Sequence, residues 1–371
     1  MGAERKPRVA VVFGGRSSEH AVSCATAASV LSVIDRDAYD VVPIGISVEG
    51  KWVLESGEPE RLALTAGHVP EVDATASAIA LSADPTRPDL VVAEPGETPR
   101  VLGEVDVVFP LLHGPWGEDG TIQGLFEMSG VRYVGSGVLA SAAAMDKHFT
   151  KMLLIAHGIR TTPYVVILPR EWERDPAAVR DAVEALGFPV FVKPARGGSS
   201  LGITKVTDRG GFDDAVEHAR GFDPKVLVEP AMEGARELEC GILQQPDGDA
   251  EASSVAEITA YGRHEFYDFE AKYLGEAGVT LQVPADLRRD VRDEVQRIAV
   301  DAFEALGCEG LARVDFFLLH DGRLLVNEVN TMPGFTPASM FPRMWAESGV
   351  DYPELVDRLL TLAMSRGTGL R

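Results

Sequence analysis

Two carboxylates, an amide and a guanidinium recur near the C-terminal end of the chain at a spacing that would bring them together. Arg313-Val314-Asp315 opens an apolar run, an Asp321-Gly322 turn follows, and Asn327-Glu328-Val329-Asn330 comes after it. In a hairpin, residues two apart share a face, so Arg313 and Asp315 can meet one cleft together with Glu328 and Asn330. Three oxygen donors of this kind suit Mg²⁺ in company with nucleotide phosphates, and Arg313 is then left to meet transferring phosphoryl oxygens. The alternative is an exposed hairpin with solvated charges. Against it, the chain continues through Thr331-Met332-Pro333-Gly334-Phe335-Thr336-Pro337-Ala338-Ser339, a loop dense in residues that shape the backbone.

Three further clusters carry chemistry. Lys193 ends a strand pattern and precedes Gly197-Gly198-Ser199-Ser200-Leu201-Gly202. Glycines there would let backbone N–H groups approach phosphate oxygens while the lysine supplies a point charge. No Gly-Lys-Ser/Thr follows, so this is not a Walker A loop; a Gly-rich hairpin without ligand is the other reading. Gly14-Gly15-Arg16-Ser17-Ser18-Glu19-His20 runs from a strand into a helix, with Ser18 where a dinucleotide fingerprint needs glycine. Glu19 could receive an ammonium group, or merely complement the helix dipole. His113-Gly114-Pro115-Trp116-Gly117-Glu118-Asp119-Gly120 follows a buried strand whose C-terminal end is a favoured ligand position, which aims His113 at the cleft unless it only caps the turn.

The elements that must position these groups read as an α/β chain. Arg8 to Phe13 is a buried strand leading into a helix over about Glu19 to Ile34, and strand runs at Tyr39 to Ser47 and Val105 to Leu112, with a helix near Thr121 to Ser129, predict a parallel sheet. The stretch from about Glu55 to Thr98 has weak periodicity and reads as a variable surface excursion. From Asp146 the rhythm changes: strands at Tyr164 to Leu168, Val190 to Pro194, Ile203 to Val206 and Val226 to Glu229, with a helix at Pro176 to Leu186, suggest antiparallel pairing. Strands near Glu237 to Leu243, Leu311 to Leu319 and Arg323 to Asn330 follow, with helices near Ala285 to Leu306 and Tyr352 to Ser365.

Composition sets limits. At 371 residues two or three domains are expected. The 35 basic against 57 acidic residues give a net charge of −22, which argues against nucleic acid or an anionic membrane as partner. Cys24, Cys240 and Cys308 are odd in number and lack metal-ligand spacing, which fits a reducing cytoplasm. The apolar run after Pro7 is too short for a signal peptide or a membrane span.

Taken in order, five runs resemble the D-alanine–D-alanine ligase family of the ATP-grasp superfamily over nearly the whole chain: Gly14 to His20, His113 to Gly120, Met145 to Lys147, Lys193 to Gly202, and Arg313 to Phe316 with Asn327 to Met340. The resemblance implies an α/β (α+β) ATP-grasp fold. It has a Rossmann-like parallel-sheet domain over 1–145, a small lid domain over 146–232 and a larger domain over 233–371 with a mobile loop at 261–283. It also implies ATP contacted by Lys147, Lys193, Ser199, Ser200, Glu229, Met232, Glu237 and Lys272, and two Mg²⁺ or Mn²⁺ ions held by Asp315, Glu328 and Asn330. Glu19 would take the ammonium of a first D-alanine with His113 near its carboxylate, and Ser339 and the N–H of Met340 the carboxylate of a second.

Lys272 and Tyr273 would close over the site, Tyr273 being hydrogen-bonded to Glu19 and Ser199. Arg313 and the N–H of Gly334 would stabilise a tetrahedral oxyanion. The implied reaction activates one D-alanine as an acyl phosphate and joins it to another for peptidoglycan, in a cytoplasmic homodimer. D-alanyl-D-lactate ligation, or another carboxylate-amine ligation of the superfamily, is the alternative; Lys272-Tyr273 favours an amine as second substrate. Pro115-Trp116 and Pro337-Ala338 depart from what some members carry, which leaves second-substrate selectivity open.

Overall fold

The computed structural model describes residues 5–369 apart from 66, 95 and 261–278. Three sheets organise it. The first contains β1 (Arg8–Gly14), β2 (Asp40–Ile46), β3 (Trp52–Leu54), β4 (Ala78–Leu81), β5 (Asp89–Ala93), β6 (Arg100–Glu104), β7 (Val107–Pro110) and β8 (Arg132–Tyr133), in the order β6-β5-β4-β3-β2-β1-β7-β8. β1 is parallel to β2 and β7, and β7 to β8. Because β1 is central, both its faces are buried: Val9, Val11 and Phe13 join one core cluster, Ala10 and Val12 another.

The expected parallel sheet is therefore mixed, since β2 to β6 pair antiparallel. The stretch expected to be a surface excursion supplies two of those strands, β4 and β5, with Ile79, Leu90 and Val92 buried. Strands of four or five residues, cut by turns at Pro85 and Pro88, are too short for alternation to stand out from a polar background.

The second sheet is antiparallel, in the order β11-β10-β12-β9, from β9 (Val165–Ile167), β10 (Val190–Pro194), β11 (Thr204–Val206) and β12 (Val226–Pro230). Its apolar face packs on the helices Pro176–Leu186 and Phe212–Arg220. The third comprises β13 (Arg236–Gln244), β14 (Ala250–Ala260), β15 (Val279–Gln282), β16 (Leu311–Leu318) and β17 (Leu324–Asn330), antiparallel in the order β15-β14-β13-β16-β17. The helix Arg289–Ala305 buries Val295, Ala299, Ala302 and Phe303 against it, the i, i+4, i+7 stripe of an amphipathic helix.

The chain then returns to its beginning. Phe335, Phe341, Trp345 and the final helix Tyr352–Ser365 share a core cluster with β1 and the helix His20–Val33. Phe335 meets Phe109 edge-on at a centroid distance of 6.0 Å, and the Tyr39 hydroxyl donates to Asp357 at 2.6 Å. Among the described residues no helix is long and apolar enough to cross a membrane.

Candidate active site

The β16–β17 hairpin pairs Arg313 with Asn330 and Asp315 with Glu328, so all four side chains leave one face. The Arg313 guanidinium donates to both oxygens of Asp315 at 2.7 Å, and Asn330 Nδ2 donates to the same carboxylate at 3.1 Å. Glu239 on β13 stands 3.3 Å from Arg313 Nε. Burial works against the guanidinium charge, but Asp315 and Glu239 outweigh it and hold Arg313 firmly protonated. Val314 and Phe316 point the other way, into the core. A bulge between the Asp315 and Phe316 pairings lets Val326 enter that core while Glu328, two residues on, faces the cleft. Two carboxylates and an amide form a hard-oxygen donor set that fits Mg²⁺ or Mn²⁺. Among the described residues no group of three or more His, Cys, Asp or Glu is placed for a metal, so the amide is what completes this set.

Lys147 spans from this hairpin to the Gly-rich turn: its ammonium lies 3.4 Å from Glu328 and donates to the carbonyl of Gly197 at 2.8 Å. Asp146 caps the helix Lys147–Ala156 by accepting from two backbone N–H groups, which fixes where Lys147 starts. In the turn, Ser199 and Ser200 both sit in the left-handed region, at φ +48° and +59°. The Ser199 hydroxyl thereby donates to Glu19. A Cβ on Gly198 would lie 2.6 Å from Glu19 Oε2, so any side chain there would push the carboxylate from its place. Lys193, at the end of β10, is ion-paired with Glu229 from the neighbouring β12. Burial alone would raise the Glu229 carboxyl, but Lys193 and Lys151 together bring it down to about 2.

Glu19 is buried at the start of the helix His20–Val33, where its own N–H donates to Ser17 Oγ at 3.0 Å. His113 faces it across the turn after β7. Its Nδ1 lies 3.2 Å from the carbonyl of Met332, which can only accept, so the ring proton belongs on Nδ1, and Nε2 accepts from the Thr26 hydroxyl at 3.2 Å. Burial depresses the imidazole against the pull of Glu19, which keeps the ring neutral.

Of the residues expected from the sequence, Glu19, His113, Lys147, Lys193, Ser199, Ser200, Glu229, Met232, Glu237, Arg313, Asp315, Glu328, Asn330, Gly334, Ser339 and Met340 line one cavity of about 1190 Å³ between the three sheets. Lys272 and Tyr273 lie outside the described residues. Ser339 precedes the helix Met340–Glu347, and its hydroxyl contacts that of Thr336 at 2.9 Å.

Sequence reasoning missed several groups. Glu118 is half-buried and accepts from the N–H of Gly114 at 2.6 Å and of Met332 at 3.2 Å. Burial first, and Glu19 second, push its carboxyl up to about 8. Lys151, Thr162 and Glu239 are buried beside the expected groups. One signal was available: Lys147 and Lys151 are i, i+4 on the stripe that ends at the buried Leu154, an unusual place for two ammonium groups.

Comparison with known proteins agrees over the full length. A family model described as "D-ala D-ala ligase N-terminus" matches residues 8–136, and one described as "D-ala D-ala ligase C-terminus" matches residues 153–361. The D-alanine–D-alanine ligase of Streptomyces griseus is 56% identical over 375 residues, covering 99% of this chain and 95% of that protein. The protein of the same name from Kineococcus radiotolerans is 57% identical over 379 residues, covering 100% of both. Among solved structures, the D-alanine-D-alanine ligase from Coxiella burnetii superposes with a TM-score of 0.81 at 32% identity, covering 98% of this chain and 95% of that one. The VanG D-Ala:D-Ser ligase from Enterococcus faecalis gives 0.82 at 33%, covering 97% and 100%.

Proposed function

We propose how the cleft works from one premise: the chain belongs to the D-alanine–D-alanine ligase family and is an ATP-dependent ligase that joins two D-alanines into D-alanyl-D-alanine. Glu19 receives the ammonium of the first D-alanine, its carboxylate oriented by Ser199, and His113 stands near that substrate's carboxylate. Lys147, Lys193, Ser199 and Ser200 take the phosphates of ATP, with Glu229, Met232 and Glu237 toward the nucleoside and Lys272 closing from the 261–283 loop. Asp315, Glu328 and Asn330 hold Mg²⁺ or Mn²⁺, which when bound neutralises phosphate charge.

The first carboxylate attacks the γ-phosphorus, the bond to the β-phosphate oxygen breaks, and D-alanyl phosphate and ADP result. Ser339 and the N–H of Met340 hold the second carboxylate so that its amine, once deprotonated, adds to the acyl carbon. Arg313 and the N–H of Gly334 stabilise the oxyanion, and phosphate leaves. Tyr273 is assigned to the same first-substrate pocket as Glu19 and Ser199, and exclusion of water from the cleft would protect the acyl phosphate. We assign 1–145, 146–232 and 233–371 as the working units, in a cytoplasmic homodimer; the exposed Met128 and Leu139 on adjacent helices support a subunit contact.

The observation that carries this reading is the hydrogen bond from Ser199 to Glu19, which fastens the Gly-rich turn to the helix start across the cavity that Asp315, Glu328 and Asn330 also line. ADP release should be strong with D-alanine alone and weak with L-alanine alone or with D-lactate alone. Equal release with L-alanine would refute the assignment of Glu19 and Ser199 to a D-amino acid.

A further inference from the structure

Glu229 carries two lysines, and only one of them opens on the cavity. Lys193 reaches one carboxylate oxygen and lines the cavity, as Glu229 and Thr162 do. Lys151, with no exposed surface and no part in the cavity lining, reaches the other oxygen at 2.6 Å and donates to Thr162 Oγ1 at 2.6 Å. The Thr162 hydroxyl also donates to Glu229, and the ring of Tyr164 lies 5.8 Å from the Lys151 ammonium. A buried carboxylate left without a partner is costly, whereas one that keeps a hydrogen-bonded cation is not. Two cations on one anion also repel each other, so removing one strengthens the hold of the other. The Lys151 ammonium is depressed by burial, and Lys193 adds to that depression while Glu229 opposes it; departure of Lys193 removes its share of the depression and leaves Lys151 more firmly charged.

We propose that Lys151 is a positioning residue that keeps Glu229 charged and fixed, so that Lys193 can exchange Glu229 for a nucleotide phosphate without stranding a buried carboxylate. The inference rests on the reading of Lys193 as a phosphate contact. Without Lys151, Lys193 becomes the sole counter-ion of Glu229, and the state in which it faces a phosphate is a minor one. Apparent affinity for ATP falls by that fraction.

The test is a calorimetric titration of ATP with magnesium into the full-length chain without D-alanine, for the native protein, Lys151→Met, Glu229→Gln and the double variant. Lys151→Met should weaken ATP binding about tenfold in the native background and less than about twofold in the Glu229→Gln background. A loss of equal size in both backgrounds, or no loss in a folded Lys151→Met, would overturn the proposal. A purely structural role would lower thermal stability and leave that difference between backgrounds at zero. Should Lys151→Met alone not fold, Lys151→Gln takes its place in both backgrounds and the same outcomes decide, while a tenfold difference between the double variant and Glu229→Gln refutes the inference by itself. Lys193→Met is the separate control, since native affinity in that variant would refute the phosphate contact itself.

Discussion

Glu118 places a carboxyl group where its charge is least welcome, half-buried at the edge of the cavity and near Glu19, yet both of its oxygens accept backbone N–H groups that join the His113 turn to the Thr331–Met332 loop. Its pKa of about 8 in the folded chain lies above the ordinary 4.5. Between those values the unfolded chain has released the proton and the folded chain retains it, so this group's contribution to stability is present below the lower value and is lost as pH rises through about 8. Glu118→Gln lacks the titration. The variant should be the less stable at about pH 5, because its amide leaves a buried N–H unsatisfied at a cost of roughly 1–3 kcal/mol, and the gap should narrow or reverse by about pH 8. Melting curves of both proteins across that range decide it; a gap independent of pH rejects the assignment. Arg313 is a different kind of residue, held charged by Asp315 and Glu239 and aimed at the cavity. Arg313→Ala should lower turnover by roughly 10²-fold or more while the Kd for ATP changes several-fold less, and equal losses in both would count against its role at the reacting atoms.

At the scale of elements, Glu19 owes its position to a staple between a strand, a helix and a turn. Ser23, fully buried on the first turn of the helix His20–Val33, accepts from the N–H of Gly14 at 2.7 Å and donates to the carbonyl of Leu111 at 2.6 Å. It fixes the helix start, and so Glu19, relative to the ends of β1 and β7. Ser23→Ala orphans both backbone groups and should destabilise the protein by about 1–3 kcal/mol, with a higher KM for D-alanine and little change in that for ATP; an unchanged D-alanine KM would separate the staple from the site. Such a staple cannot be seen in the sequence, where Ser23 is one small residue among alanines. The β16–β17 hairpin was legible, because Arg313, Asp315, Glu328 and Asn330 obey strict alternation around an Asp-Gly turn. Its bulge was not, since the sequence spacing alone would put Val326 on the face of Glu328. β10, the helix Pro176–Leu186 and the final helix fall where periodicity and Pro or Asp signals put them. The helices Val138–Met145 and Phe212–Arg220 and strand β14 went unread: alanine runs and short polar segments have no contrast between faces until another element covers one of them.

Across the whole molecule, the apolar cores are divided unequally. One cluster runs from β1 through Phe335 and Trp345 to the final helix, so the first and third sheets are joined by buried hydrophobic contact. The second sheet keeps a cluster confined to residues 165–228, from Val165 to Val228. Its links to the rest at the cavity are polar: Ser199 to Glu19, Lys147 to Gly197 and Glu328, and Lys225 to Asp146 at 2.8 Å. Polar links of this kind are individually worth little net free energy, so opening of the second sheet should precede global unfolding. ATP bound between Lys193 on that sheet and the β16–β17 hairpin would add its binding free energy to the closed form, about 2.7 kcal/mol at a concentration a hundred times Kd. Amide hydrogen exchange should then slow in β10 and β12 when ATP and magnesium are added, by roughly a hundredfold at that concentration, and change little in β1, β2 and β7, whose protection is already set by the shared core. Removing the metal with a chelator should abolish most of the slowing, because Asp315 and Glu328 would then face the triphosphate uncompensated. Uniform slowing in all three sheets would mean that they open as one unit and that the second sheet is no independent lid.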